Sequence, residues 1–306
     1  MKNLTPINYN ALDFDKFIYN KKGVGTVKSG KQVIDTDISN IRNRFSLYQT
    51  NSTNLENVHP LTTYTVNTES ACKELTSTQR NNKLYCNLFS LYDSTSTHCK
   101  TLKKSIKDIS KTKCPYCSID TPSHIDHYLP RSIFPEYSVF SLNLIFSCSI
   151  CNSGYKGDDY VNAQGERLFI NPYFDTFIET IPFLECDIII NDSYPEFKFK
   201  IDSTLQAQHT YEYKIIKNHF DKLNLESRYL DQIVEEKFKR FKNRYIDKES
   251  MEFKTITLEQ LKDDITFILD GLDDLNINNW EKVFWKSLKT SDNCLNLIVN
   301  KDIDVN

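Results

Sequence analysis

Glycine is scarce in this chain, at 7 of 306 residues, and proline is modest at 9. With so few backbone breakers no linker is long enough to cut the chain cleanly, and neither an internal repeat nor a low-complexity tract is present. No glycine-rich phosphate loop of the G-x4-G-K-[ST] kind occurs, so any ATP-driven step requires a separate partner. Long hydrophobic runs are missing too. No stretch of about 18 apolar residues appears, which excludes a spanning helix and argues against a membrane partner. The first residues, Met1-Lys2-Asn3-Leu4-Thr5-Pro6, lack the apolar core of a secretion signal, which points to the cytoplasm. A dominant charge sign is also lacking. With 38 basic against 41 acidic residues the net charge is -3, so the overall balance neither demands nor excludes a polyanionic partner.

What is present is locally polarised. Lys100, Lys103, Lys104, Lys107, Lys111 and Lys113 face a single acid, Asp108, whereas residues 259 to 274 are mostly acidic. Cys99, Leu102, Ile106 and Ile109 recur at three- and four-residue steps, so the lysines between them fall on the outer face of a helix leading into Cys114. Upstream, Gly23-Val24-Gly25 and Ser29-Gly30-Lys31 read as loops, and the segment around Ile38 to Tyr48 as a helix. Downstream, two strand-like runs flank Asn191-Asp192-Ser193-Tyr194-Pro195. The second alternates Phe197, Phe199 and Ile201 with Lys198 and Lys200, the pattern of a β-hairpin with one wet face. Three helical stripes follow: Leu230, Val234, Phe238, Phe241 and Tyr245; Leu258, Leu261, Ile265, Ile268 and Leu272, opened by a capping box of Thr257 and Gln260; and Ile277, Trp280, Phe284 and Leu288. Their aromatic residues read as core.

Cys114-Pro115-Tyr116-Cys117 and Cys148-Ser149-Ile150-Cys151 are two C-x2-C knuckles separated by 30 residues. Each pair can hold one face of a metal ion through a tight turn, and together they complete a tetrahedral shell of four sulfurs, the closed geometry of structural zinc. A shell of four protein ligands has no open position, so this ion holds structure and performs no chemistry. A dithiol redox pair is disfavoured because no βαβ pattern surrounds either knuckle.

Between the knuckles lies Ser123-His124-Ile125-Asp126-His127-Tyr128-Leu129-Pro130-Arg131, then Phe140-Ser141-Leu142-Asn143-Leu144. After Cys151 come Asn152-Ser153-Gly154-Tyr155-Lys156-Gly157-Asp158. The ordered set Cys114, Cys117, Asp126, His127, Asn143, Cys148, Cys151 and Asn152 resembles the HNH endonuclease family, whose ββα-metal core is often braced by two such knuckles. The likeness covers about residues 111 to 175. Two positions depart from the family pattern: the third signature residue is Asn152 rather than histidine, and Lys156 follows it one residue later than expected. The form of the motif is also similar to HNH nucleases of bacterial antiviral defence systems, of the Septu or retron-associated type, in some of which an HNH subunit works beside an ATPase.

The resemblance implies an α+β fold in which a small zinc-braced ββα-metal core is embedded in a mainly helical protein with a β-hairpin after the core. The expected organisation is an N-terminal region (1–110) ending in the lysine-rich helix, the nuclease core (111–175), and the hairpin with a C-terminal helical layer (176–306). It implies a phosphodiester hydrolase acting on nucleic acid, DNA in the first place. Asp126 and Asn152 would hold a catalytic Mg²⁺ or Mn²⁺, consistent with hard oxygen donors. His127, whose ordinary pKa lies near neutrality, is the natural general base for water, and Asn143 would hold its imidazole in working orientation. Arg131 and Lys156 are candidates for contacts to substrate phosphates, and the lysine helix could add others. By period two His124 shares a strand face with Asp126 and is a candidate extra ligand or partner to the site. Cleavage of RNA, transfer RNA in particular, is the alternative within the enzyme reading; a non-catalytic zinc-braced binding or scaffold module is the alternative outside it.

Overall fold

The computed structural model describes residues 1, 3–7, 27–61, 80–191, 194–231, 235–247, 249–250 and 252–303. The chain divides into two compact units, Asn3–Asp175 and Thr176–Asn306 together with Met1–Lys2. Both mix helices with one small antiparallel strand pair.

In the first unit, helix α1 (Val27–Thr50) buries Ile41, Phe45 and Tyr48, one face at three- and four-residue spacing. It takes in Ser29-Gly30-Lys31, which the sequence reads as a loop; one glycine costs a helix only about 1 kcal/mol, and the long helical stretch around it prevails. Gly23-Val24-Gly25 lie outside the described residues. Helix α2 (Arg80–Phe89) packs on α1 and buries Tyr85, Leu88 and Phe89. Helix α3 (Thr97–Ile109) starts where the Ser96 hydroxyl accepts the Cys99 N–H, and it buries Cys99, Leu102 and Ile106. Its Lys100, Lys104 and Lys107 are exposed, as the sequence period predicts.

Strand β1 (His124–His127) pairs antiparallel with β2 (Leu144–Ser147) in the register His124↔Ser147 to His127↔Leu144. Helix α3 lies on this pair. The connection between the strands carries Phe134, Tyr137 and Phe140, all buried. Phe140 stacks on Phe45 with ring centroids 4.5 Å apart, so α1 is the floor beneath the loop. Arg44 of α1 adds a buried ion pair to Glu136 at 2.8 Å.

In the second unit, β3 (Leu184–Asn191) and β4 (Tyr194–Ile201) pair in register from Leu184↔Ile201 to Asn191↔Tyr194. Phe197, Phe199 and Ile201 are buried while Glu196 and Lys198 are exposed, so the hairpin has one dry face and one wet face. The helices of this unit include α4 (Thr210–Lys222), α5 (Glu235–Asn243), α6 (Leu258–Asp270), α7 (Trp280–Thr290) and α8 (Asp292–Val299); α4, α7 and α8 pack on the hairpin, and α6 packs on α7 and α8. Both arms of the Thr257–Gln260 capping box are formed at the start of α6. Phe197 meets Phe238 and Phe284 edge-on at 5.2 and 5.3 Å, which makes the aromatic stripes core. Val234 of the first stripe lies outside the described residues. No helix among the described residues is long and apolar enough to cross a membrane.

Candidate active site beside a four-cysteine cluster

Cys114, Cys117, Cys148 and Cys151 are all buried, and their sulfurs lie within 4.8 Å of one another. The first knuckle closes where the Ser118 N–H donates to the Cys114 carbonyl at 2.8 Å, with Ser118 itself in the left-handed region (φ 57°). Backbone N–H groups of Ile119, Cys148 and Cys151 point at the sulfurs of Cys117, Cys114 and Cys148, each at 3.4 Å. Such donors stabilise thiolates. Within the hydrogen-bonded cluster the Cys117 thiol is held well below its ordinary pKa by the other three cysteines, whereas Cys114 is pushed up chiefly by burial and Cys151 chiefly by its hydrogen bond to Cys114. Four sulfurs this close and this shielded fit a zinc ion.

The two knuckles bracket the β1–β2 pair, and Asp126 links it to them. Its carboxylate is buried; Oδ2 accepts the Tyr116 O–H at 2.7 Å, and Oδ1 accepts the Lys156 ammonium at 3.1 Å. Tyr116 sits inside the first knuckle. Lys156 ends the π-type turn Ile150–Lys156 that begins within the second, and it also donates to the His127 carbonyl at 2.9 Å. The wide turn accounts for the extra residue between Asn152 and Lys156. The Gly157 N–H reaches back five positions to the Asn152 carbonyl at 2.8 Å, with Gly157 at φ 53°, and this winding delivers Lys156 inward. Lys156, expected at a substrate phosphate, therefore stands in the interior against Asp126, with 1% of its side chain exposed.

His127 points to the other face of β1 and is half-buried. Its Nε2 lies 2.9 Å from the Ser138 carbonyl; a carbonyl only accepts, so Nε2 carries the proton. Nδ1 is then an acceptor, with no hydrogen-bond partner recorded among the described residues. Burial is the main force pulling its pKa down, to about 3; the Ser138 carbonyl acts against it, and Arg131, Lys156 and Lys103 add to it. The imidazole is accordingly neutral near pH 7. Tyr92 meets it edge-on at 4.6 Å, with Lys103 of α3 lying 3.9 Å from the Tyr92 ring centre. Arg131 lies 4.2 Å over Phe89 and 5.3 Å from Tyr92, and pairs with Asp93 at 2.8 Å. Through Tyr92, two cations and an aromatic cluster gather near His127.

Asn143 is fully buried, and its side-chain hydrogen bonds go to groups other than the imidazole. Its Oδ1 accepts the Leu129 N–H at 2.8 Å and its Nδ2 donates to the Leu129 carbonyl at 3.0 Å, so it clamps the chain just after His127. Tyr48 of α1 donates to the same Oδ1 at 3.3 Å. Any influence on the imidazole passes through the backbone. His124 is exposed, with its Nδ1 2.8 Å from the Ser123 hydroxyl. Asn152 is half-buried and has no side-chain hydrogen bond recorded among the described residues.

As arranged, the oxygen donors do not fit a Mg²⁺ or Mn²⁺ ion. The one anionic donor, Asp126, has both oxygens engaged and already carries a cation on Oδ1. Three participants escaped sequence reasoning. Tyr116 carries no motif of its own, the Ser138 carbonyl has no side-chain signature, and Tyr92 reaches His127 only through folding.

Protein ea31 of Escherichia phage lambda is 28% identical to this chain over 197 residues, which is 60% of the chain and 63% of that protein. Septu protein PtuB of Bacillus thuringiensis is 34% identical over 80 residues, 24% of the chain and 30% of that protein. The chain spans less than two thirds of the length of either relative. No family model and no solved structure matches it.

Proposed function

We propose that the chain is an HNH-type endonuclease that hydrolyses phosphodiester bonds, DNA being the favoured substrate, as the effector of a bacterial antiviral defence system. One observation carries the reading. His127 is a neutral imidazole whose Nε2 is fixed by a backbone carbonyl, and Arg131 and Lys103 both lie on Tyr92, the ring that meets it edge-on. That is the arrangement a general base needs: an acceptor at Nδ1 held in place, with positive charge nearby for the phosphate. In the step, Nδ1 takes the proton of the attacking water as its oxygen bonds to phosphorus. The P–O bond to the leaving sugar oxygen breaks, and that alkoxide takes a proton from solvent, while Arg131 and Lys103 offset the charge growing on the phosphoryl oxygens. The order strand, strand, helical turn with a cysteine knuckle at either end supports a ββα-metal core, with zinc in the four-cysteine cluster as its brace. The likeness to a Septu protein supports the defence role; a separate ATPase partner is part of the proposal and rests on the resemblance of the motif alone.

One observation favours RNA as the second reading. The cation on Asp126 is a lysine, and attack by a ribose 2′-hydroxyl requires a base and positive charge but no metal-bound water. The test is cleavage of supercoiled plasmid and of total RNA by the wild type and by His127→Ala, with and without added Mg²⁺ or Mn²⁺. Loss of activity by about 10² to 10⁴ in the variant is expected for a general base. A 2′,3′-cyclic phosphate product would assign RNA transesterification. Equal activity of the variant would refute the role of His127. No cleavage by the wild type, even with the products of neighbouring genes added, would leave a zinc-braced binding module.

A further inference from the structure

The least ordinary feature of the first unit is the cation beneath the His127 strand. A carboxylate in an HNH-like position is expected to face a divalent ion, yet Asp126 faces an ammonium. The pair is among the most enclosed in the molecule, with 1% of the Lys156 side chain and 3% of the Asp126 side chain exposed. Its geometry is complete on both sides. Lys156 donates to Oδ1 at 3.1 Å and to the His127 carbonyl at 2.9 Å, while the Tyr116 O–H occupies Oδ2 at 2.7 Å. The His127 carbonyl, an oxygen a hard cation would otherwise use, is thus taken by the same ammonium. A divalent ion entering here would meet a fixed positive charge at contact distance in a medium that screens poorly. It would also have to displace two charge-assisted hydrogen bonds. The π-type turn that brings Lys156 inward makes this a built position rather than a chance approach of a surface side chain.

We propose that Lys156 occupies the cation position of Asp126, so that the resting chain holds no divalent metal there and accepts one only when the lysine is neutralised or withdrawn. The inference rests on the nuclease reading for its expectation of a metal at this carboxylate, but it is read out by binding and not by cleavage. The wild type then has weak affinity for Mn²⁺ at Asp126, and removing the lysine charge opens the site. A partner or a nucleic-acid phosphate that draws Lys156 away would do the same, which would make metal loading a consequence of substrate or partner engagement.

The experiment is Mn²⁺ titration of the zinc-loaded full chain, following the free Mn²⁺ signal by electron paramagnetic resonance. It compares the wild type, Lys156→Gln, Asp126→Asn and the double variant. Lys156→Gln is expected to bind one Mn²⁺ at least about tenfold tighter than the wild type, with the gain lost in the double variant. A wild-type site that binds as tightly as Lys156→Gln and disappears in Asp126→Asn overturns the proposal. If Lys156→Gln fails to retain zinc and secondary structure, the wild type and Asp126→Asn decide alone: a Mn²⁺ site present in the first and absent in the second sinks the idea, and its lack in both upholds it. The His127→Ala cleavage comparison is separate. Loss of the nuclease reading would leave the Mn²⁺ result standing, and a tight wild-type Mn²⁺ site would leave that reading intact.

Discussion

Replacing Tyr116 with phenylalanine removes one oxygen atom from the interior and tests whether the first knuckle is wired to the strand that carries His127. The ring, 1% exposed, keeps its packing near Phe169, with centroids 6.4 Å apart; only the O–H to Asp126 Oδ2 at 2.7 Å is lost. The hydroxyl is a reliable donor at any working pH, because burial first and the Asp126 charge second hold the phenol well above its ordinary pKa. A hydrogen bond to a charged group contributes about 1.5–3 kcal/mol, and its loss leaves a buried carboxylate oxygen with no donor in its place. For a unit of this size each kcal/mol moves the midpoint by about 2–4 °C, so Tyr116→Phe should melt about 3–12 °C below the wild type. Circular dichroism melts at pH 7.5 measure this, and zinc content should stay unchanged because no sulfur is altered. Coupling gives the sharper criterion. With Asp126→Asn in the background the hydroxyl has lost its charged acceptor, so the Tyr116→Phe penalty should shrink by about 1 kcal/mol or more. A shift below about 1 °C, or full additivity with Asp126→Asn, would refute the link between knuckle and strand.

The pH dependence follows from His127. Its folded pKa, about 3, lies below the ordinary value of 6.5, so the unfolded chain takes up a proton first as pH falls. The stability associated with the neutral imidazole is thus complete above about 6.5 and lost as pH drops from there towards 3, by up to about 1.4 kcal/mol per pH unit. Urea unfolding at pH 7.5 and 5.5 should show a steeper loss in the wild type than in His127→Ala, and parallel losses would contradict the assignment. For the same reason the acid limb of kcat/KM should fall below pH 5 rather than near 6.5. Removal of zinc, by a chelator or by Cys117→Ser, should cost the first unit on the order of 10 kcal/mol and release the Cys114–Lys156 region first in hydrogen exchange. Protection retained in β1 and β2 after metal loss would show that the cluster does not brace the site.

The parts legible in the sequence are those governed by local period or fixed spacing. Cys99, Leu102 and Ile106 mark the buried face of α3 because a helix repeats every 3.6 residues; Phe197, Phe199 and Ile201 mark the dry face of β4 because a strand repeats every two. The four sulfurs converge because each knuckle is a local turn and β1–β2 pairing brings the knuckles together. What was hidden depends on where a backbone atom or a long side chain ends after folding. The Ser138 carbonyl that sets the His127 tautomer exists at every residue of every chain, so no residue type announces it. Asn143 stood at the right spacing, but its amide found the Leu129 backbone, since a buried carboxamide must satisfy donor and acceptor together and Leu129 offers both. Lys156 is the most instructive case. Counted on an ordinary helix, the extra residue after Asn152 turns it away from the site; wound as a π-type turn, the same residue brings its ammonium onto Asp126. One backbone hydrogen bond spanning five residues instead of four therefore decides whether a lysine meets a substrate phosphate or occupies the place of a metal, and spacing alone does not carry that choice.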